Sequence, residues 1–269
     1  MSTPPTTPLT TALATAKAAG RAALVGYLPV GYPDVDTSIA AMRALVEGGC
    51  DVVEVGIPYS DPVMDGPTIQ RATEPAVRAG VGLRDALRAV SAVVDAGGAA
   101  VTMGYWNQVE RYGVARFAAD LAAAGGSGAI TPDLIPEEAG EWLSASDEHG
   151  LDRIFLVAPS STDARIVSTA AASRGFVYAT AVMGVTGART SVGDAAGTLV
   201  GRVRALAPDV AVCVGLGVST GAQAAEIAAF ADGVIVGSAL VKCLLDSPDE
   251  SGVAAVGELA AELAAGVRH

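Results

Sequence analysis

Short runs of apolar, mostly β-branched residues alternate with longer Ala-rich segments along the chain. The short runs are typical of buried strands, and the longer segments have the apolar spacing of amphipathic helices. We predict eight strands, at 22–28, 51–56, 99–104, 127–131, 153–158, 176–182, 210–215 and 232–236. Helices are predicted to follow them at 36–48, 83–96, 114–124, 136–148, 162–173, 194–206, 219–229 and 251–266.

Eight repeats of strand and helix predict an all-parallel sheet. In 269 residues this favours a single-domain α/β fold, the (β/α)8 TIM barrel, although an open, doubly wound sheet has the same alternation. The first seven residues are expected to be disordered, because they are terminal and rich in Thr and Pro. The barrel domain is then 8–269, with extra helices outside the repeat at its N-terminus (8–19) and after strands two and eight (67–79 and 237–246).

Composition and charge narrow the classes of function. The formal net charge of −12 argues against binding to nucleic acid or to an anionic membrane. No run of about 18 apolar residues and no secretory signal are found. The three cysteines, Cys50, Cys213 and Cys243, lack CxxC spacing and are interpreted as small core residues in a reducing compartment. We therefore expect a cytoplasmic protein.

The C-terminal ends of the strands are the places to search for chemistry, because TIM-barrel active sites lie there. Glu54 interrupts the second strand two residues before its end. A buried carboxylate is costly unless it is paired or protonated. A structural ion pair is one interpretation, but Lys17 and Lys242 are the only lysines. Without a partner, burial raises the pKa of a glutamate, which suits a general acid.

The loop after the second strand carries two further carboxyl groups, Asp61 and Asp65. Proline and glycine residues in this loop stiffen it, as expected where side chains must be held in place. Asp61 fits a turn or capping position as well as a functional one. The functional interpretation is favoured for Asp65.

Glycines follow the sixth, seventh and eighth strands, and each lies between a strand and a helix. Backbone N–H groups at such glycines and at a helix N-terminus bind phosphate in this fold. We predict a phosphate site at these loops, Gly184-Val185-Thr186-Gly187, Gly215-Leu216-Gly217 and Gly237-Ser238, in which the Ser238 side chain is also a candidate N-cap.

The chain lacks the residues of several alternative chemistries. No strand carries a lysine for a Schiff base, and neither His149 nor His269 lies where a metal ligand is needed. No metal site and no cofactor are therefore predicted in this chain. Acid–base chemistry by Glu and Asp on a phosphorylated substrate is the remaining hypothesis.

Four segments in chain order resemble the tryptophan synthase alpha family: YLPVGYPD (27–34), EVGIPYSDPVMDGPTIQ (54–70), TMGYWN (102–107) and MGVTGAR (183–189). The resemblance implies retro-aldol cleavage of indole-3-glycerol phosphate to indole and glyceraldehyde 3-phosphate. It assigns catalysis to Glu54, Asp65 and Tyr178, and phosphate binding to Gly187, Gly217 and Gly237 with Ser238. Substrate contacts are implied for Tyr27, Tyr105 and Thr186, the last in a mobile lid from Gly184 to about Ser191.

The same resemblance implies a partner. Members of the family work with a beta subunit that carries pyridoxal phosphate (PLP), as an alpha2-beta2 heterotetramer to which indole is passed. Asp61 and the loops after strands two and three are the candidate interface. A lyase that acts alone, a non-catalytic activator of a beta subunit and another phosphate-binding barrel, such as a sugar-phosphate isomerase, are the alternatives.

Overall fold

The computed structural model describes residues 6–180, 190–215 and 217–268, the side chains of 190–194 excepted. Its strands are β1 (Ala23–Pro29), β2 (Val52–Gly56), β3 (Ala99–Met103), β4 (Gly128–Ile130), β5 (Asp152–Ile154), β6 (Leu156–Val157), β7 (Phe176–Thr180), β8 (Ala211–Gly215) and β9 (Gly233–Val236). Its helices are α1 (Pro8–Ala18), α2 (Val35–Glu47), α3 (Pro67–Arg78), α4 (Leu83–Asp95), α5 (Trp106–Tyr112), α6 (Val114–Ala123), α7 (Gly140–Glu148), α8 (Asp163–Ala172), α9 (Thr190–Leu206), α10 (Gly221–Ala228), α11 (Ser238–Asp246) and α12 (Glu250–Gly266).

The strands form one parallel sheet that closes on itself. Their order is β5-β4-β3-β2-β1-β9-β8-β7-β6, and every pair is parallel. The two outermost strands, β5 and β6, are consecutive pieces of one segment, separated by Phe155 alone. The Tyr178 N–H donates to the Phe155 carbonyl at 3.0 Å, which joins this segment to β7. The predicted barrel is confirmed, and the open, doubly wound alternative is wrong.

Most predicted elements are found, but the prediction was wrong at two places after the third and fourth strands. Helix α5 was not predicted, because its seven residues are too few to show a helical period. Gly113, at φ 97°, separates it from α6. The helix predicted at 136–148 begins as a 3-10 turn, Pro136–Glu138, before α7.

Two apolar layers form the core. The outer layer lies between the sheet and the helices, and the inner one fills the barrel. In the inner layer Leu9, Leu13 and Ala16 of α1 pack against strand residues that include Val52 and Phe176. Helix α1 therefore closes the N-terminal end of the barrel and leaves the C-terminal end for a site. No described helix is long and apolar enough to cross a membrane.

Thr7 anchors α1, although it belongs to the segment that was expected to be disordered. It is 5% exposed and N-caps the helix. Its hydroxyl donates to the buried Asp152 carboxyl at 2.5 Å, and the Leu9 N–H donates to Ser127 Oγ at 3.2 Å. These contacts order Thr7, a result that composition could not predict.

Candidate active site

Glu54 lies inside the barrel, near the C-terminal end of β2. It pairs in register with Tyr27 of β1 and Val101 of β3, and by alternation it points inward like Val52. The side chain is 0% exposed. Among the residues that the structure describes, neither carboxyl oxygen has a hydrogen-bond partner. The geometry therefore does not support the structural ion pair.

Burial raises the pKa of Glu54 from 4.5 to about 8. The cause is desolvation, since removal of water disfavours the charged form and no described donor compensates for it. The carboxyl group is therefore mostly protonated at neutral pH. A protonated carboxyl group in an enclosed site is equipped to act as a general acid.

Two tyrosines lie beside Glu54 in the upper part of the barrel. A Cβ built at Gly56 would lie 2.5 Å from the Tyr27 hydroxyl, and one built at Gly215 would lie 2.5 Å from the Tyr178 hydroxyl. The lack of side chains at these two glycines leaves room for the rings. Burial raises the pKa of both tyrosines well above 10, and the charge of Glu54 adds to the rise. The structure thus brings Tyr27 and Tyr178 close to the Glu54 carboxyl group.

Asp65 is the second carboxyl group of the site, on the loop between β2 and α3. The charges of Asp65 and Glu54 both raise the pKa of Tyr27, so both carboxyl groups lie near this tyrosine. Burial raises the pKa of Asp65, and a hydrogen bond from the Tyr105 hydroxyl, at 3.3 Å, opposes that rise. The Gln70 amide also donates to the Asp65 backbone carbonyl at 2.8 Å. Asp65 is thus held in place by a donor that favours its ionised form, whereas Glu54 has no such donor among the described residues.

Tyr105 was predicted to contact substrate, and the structure gives its hydroxyl a contact with the loop. It accepts a hydrogen bond from the Met64 N–H at 2.9 Å and donates to Asp65. Its ring stacks on Tyr59, with 5.0 Å between the centroids. Burial is the main cause of its raised pKa, about 12, so the hydroxyl stays a donor at neutral pH.

The late loops place part of the predicted phosphate site beside Tyr27. A Cβ at Gly237 would lie 3.2 Å from the Tyr27 ring, and Gly217 adopts φ 66°, a left-handed conformation suited to glycine. Gly237 is the N-cap of α11, whereas Ser238 is its first helical residue. The capping role predicted for Ser238 is therefore wrong. Thr186 and Gly187 lie outside the described residues.

Asp61 lies apart from this cluster, on the outer surface of the same loop. It is exposed and accepts a hydrogen bond from Ser60 Oγ at 2.5 Å. Val63 and Met64, two and three residues further on, are 79% and 48% exposed. Large apolar side chains exposed next to one another mark a candidate surface for a partner protein.

Some neighbours of the site were missed in the sequence. Cys213 lies on β8 in register with Tyr178, and the Glu54 charge contributes to its raised pKa, after burial. Strand alternation from Gly215 could have found it. Tyr59 lies on the Asp65 loop and accepts a hydrogen bond from Asn107 of α5, while Gln108 of α5 donates to the Pro58 carbonyl. These contacts were missed because α5 was not predicted. In the described part of the chain no group of three His, Cys, Asp or Glu could hold a metal ion.

Comparisons with known proteins agree with this geometry. A family profile described as "Tryptophan synthase alpha chain" matches residues 13–268. The tryptophan synthase alpha chain of Mycobacterium marinum is 66% identical over 248 residues, which are 92% of this chain and 90% of that protein. The corresponding Mycobacterium tuberculosis protein is 66% identical over 247 residues, 92% of this chain and 89% of that one.

Solved structures give the same result. A structure of tryptophan synthase from Mycobacterium tuberculosis matches with a TM-score of 0.91 and 62% identity, over 98% of this chain and 100% of that chain. Tryptophan synthase subunit alpha from Legionella pneumophila matches with a TM-score of 0.89 and 30% identity, over 98% and 99% of the two chains. On sequence, fold and length alike, the chain belongs to the tryptophan synthase alpha chain family.

Proposed function

We propose that Glu54 and Asp65 perform the alpha reaction of tryptophan synthase in this chain, within one catalytic domain spanning 8–269. That reaction is a retro-aldol cleavage of indole-3-glycerol phosphate to indole and D-glyceraldehyde 3-phosphate. The observation that carries the proposal is the fully buried Glu54 carboxyl, unpartnered among the described residues and with a pKa near 8. Beside it stands Asp65, whose hydrogen bond from Tyr105 favours the ionised form.

The first step uses Glu54 as an acid. Indole carbon is a poor leaving group until C3 is protonated, and the neutral Glu54 carboxyl supplies that proton. The ring then carries a positive charge shared with its N–H group. Asp65, as a carboxylate, accepts the hydrogen bond from this N–H and stabilises the cation. Two carboxyl groups with different surroundings thus take different roles.

The second step uses Glu54 as a base. Its carboxylate takes the proton of the hydroxyl group on the adjacent glycerol carbon. The C–O bond becomes a carbonyl, the carbon–carbon bond breaks, and its electron pair returns to the ring and neutralises the nitrogen. Indole and glyceraldehyde 3-phosphate result, and Glu54 ends protonated as it began. The Tyr178 hydroxyl lies near Glu54 without a hydrogen bond to it, and its proposed role is to bond a Glu54 oxygen during the proton transfers.

The phosphate is assigned to the late loops. Gly217, Gly237 and Ser238 offer backbone N–H groups, and Gly237 opens α11 without a side-chain cap. Family resemblance adds Gly187 and a lid residue, Thr186, that would touch Asp65. Binding of the remote phosphate positions the reacting end of the substrate, and Tyr27 packs against the indole ring.

A beta subunit is proposed as the partner, in an alpha2-beta2 heterotetramer that receives the indole. The exposed side chains of Asp61, Val63 and Met64 support this loop as the contact surface. Acid–base chemistry at Glu54 and Asp65 needs no cofactor in this chain, and PLP would belong to the beta subunit. A substrate analogue that left beta-subunit activity unchanged in the complex would argue against coupling through this surface.

The decisive experiment measures indole release from indole-3-glycerol phosphate, with and without a beta subunit. Glu54→Gln should abolish release, and Asp65→Asn should reduce it strongly, because each removes one of the two roles. Glu258→Gln, on an exposed position of α12, is the matched control and should behave as the wild type. High activity of the isolated chain would favour the stand-alone lyase. Absence of indole under every condition would refute the proposal and leave a non-catalytic partner.

A further inference from the structure

Three of the four consecutive residues that follow Gly104 hold the loop that carries Asp65. We call residues 57–66 the catalytic loop. The Tyr105 hydroxyl accepts from the Met64 N–H at 2.9 Å, near the end of the loop. The Asn107 amide donates to the Tyr59 hydroxyl at 3.1 Å, and the Gln108 amide donates to the Pro58 carbonyl at 2.7 Å, both near its beginning.

Gln108 makes the shortest of these contacts, and it makes it with the backbone. Pro58 is four residues after Glu54 and seven before Asp65. The rings of Pro58 and Pro62 fix two φ angles of the loop, and the bonds from Gln108 and to Tyr105 hold it near its beginning and its end. Loss of the bond at Pro58 is therefore expected to leave the loop that carries Asp65 held from α5 and Tyr105 at fewer points.

The other end of the Gln108 amide makes no hydrogen bond within the part of the chain that the structure describes. Its Oε1 atom is buried and lacks a hydrogen-bond partner among the described residues. A buried, unpartnered acceptor is destabilising, and an apolar side chain of similar length would avoid that loss. The stabilising role of this side chain is thus confined to the bond from Nε2 to the loop.

We infer that Gln108 is a positioning residue for the lyase reaction. Its amide fixes the catalytic loop at Pro58 and thereby sets where the Asp65 carboxylate lies relative to the protonated Glu54. The inference rests on the proposed roles of these two carboxyl groups. Gln108 itself does not touch substrate in this scheme; it acts through Asp65.

The test replaces Gln108 by methionine, which keeps the length of the side chain and removes the donor. Glu258→Met is the control, because Glu258 is exposed on α12, outside the candidate interface. Misplacement of a catalytic group lowers kcat more than it raises KM, so Gln108→Met should lose about 10-fold or more in kcat with KM changed less than about 2-fold. Glu258→Met should retain wild-type kinetics.

A double-variant cycle separates positioning from general damage. If Gln108 acts through Asp65, the Gln108→Met change should cause no further loss in an Asp65→Asn background. The alkaline limb of the pH profile should stay near that of the wild type, since Glu54 is not moved. If the methionine variant does not fold, Gln108→Glu is measured in its place, because it replaces the Nε2 donor with an acceptor of the same shape.

The outcomes are distinct. Wild-type kcat in a folded Gln108→Met protein, or an equal further loss in the Asp65→Asn background, would overturn the positioning role. If the wild type releases no indole at all, the proposed function fails instead. If the wild type is active, Glu54→Gln is inactive and Gln108→Met is normal, the proposed function stands and only this inference is refuted.

Discussion

Replacing Glu54 by glutamine should make the protein more stable toward alkaline pH while abolishing the lyase reaction. The carboxyl group is completely buried, and desolvation raises its pKa to about 8. Glutamine has nearly the same shape but does not ionise. The difference in unfolding free energy between variant and wild type therefore isolates the effect of ionising this one group.

The sign of this pH effect on the unfolding free energy follows from the number of protons that each state binds. The folded protein keeps the Glu54 proton up to about pH 8, whereas the unfolded chain releases it near pH 4.5. The folded state binds more protons between these values, so this group makes the protein less stable as the pH rises through that window. Below pH 4.5 the carboxyl is protonated in both states and has no such effect.

The size follows from the same two pKa values. Each pKa unit corresponds to about 1.4 kcal/mol, so the destabilisation grows by about 3.5 kcal/mol between pH 5 and pH 8. For a chain of 269 residues this corresponds to a difference in Tm of roughly 6–10 °C. Any unfavourable contact of the new amide adds a constant that does not depend on pH.

Urea unfolding of both proteins at pH 5, 6, 7 and 8 measures this difference directly, with thermal melts as a second readout. Glu258→Gln is the control, because its side chain is exposed and its neutralisation should give no comparable trend. A difference between Glu54→Gln and wild type that stays constant across the series would refute the reasoning, since Glu54 would then ionise alike in the folded and unfolded states.

Three further predictions follow from the geometry. A profile of kcat/KM against pH should fall above about pH 8, as Glu54 loses its catalytic proton; a plateau to pH 9.5 contradicts this. Burial raises the Asp152 pKa to about 6 despite the Thr7 hydrogen bond, so the unfolding free energy of Asp152→Asn should rise by about 2 kcal/mol relative to that of the wild type between pH 4 and pH 7. Urea titrations of both proteins at the two pH values test this, and a difference that does not change with pH refutes it. Gly56→Ala should lower kcat/KM by about 10-fold or more, because its methyl group displaces Tyr27; unchanged steady-state kinetics would exclude that displacement.

The barrel could be predicted because its signals are local and repeated. Each β-branched run and each Ala-rich segment falls within one window of sequence, and eight repeats leave few topologies. Helix α5 has only seven residues, and Thr7 is ordered by Asp152, which is 145 positions away. Neither feature leaves a periodic pattern, so sequence reasoning missed both.

The site could be predicted in part for a similar reason. Glu54 was visible because a charged residue interrupts an apolar strand, and that anomaly is readable without a structure. Whether it has a partner depends on side chains from other strands, so the ion pair could be set aside only in three dimensions. The role of Gln108 could not be predicted from the sequence, because its hydrogen bond to the Pro58 carbonyl joins positions 50 residues apart through a helix that was not predicted.

The two carboxyl groups differ because one is placed by a strand and the other by a loop. Strand β2 encloses Glu54 among apolar neighbours, whereas the catalytic loop gives Asp65 a hydrogen-bond donor, Tyr105. Glu54 is already fully buried, whereas Asp65 is partly exposed, so an indole ring entering the site would remove water mainly from Asp65 and push its pKa upward. Glu54 would then remain an acid, and Asp65 would stay ionised only while Tyr105 and the indole N–H donate to it. The placement of the catalytic loop therefore decides whether the site holds one acid and one stabilising carboxylate, or two protonated carboxyl groups that leave the indole cation without a counter-charge.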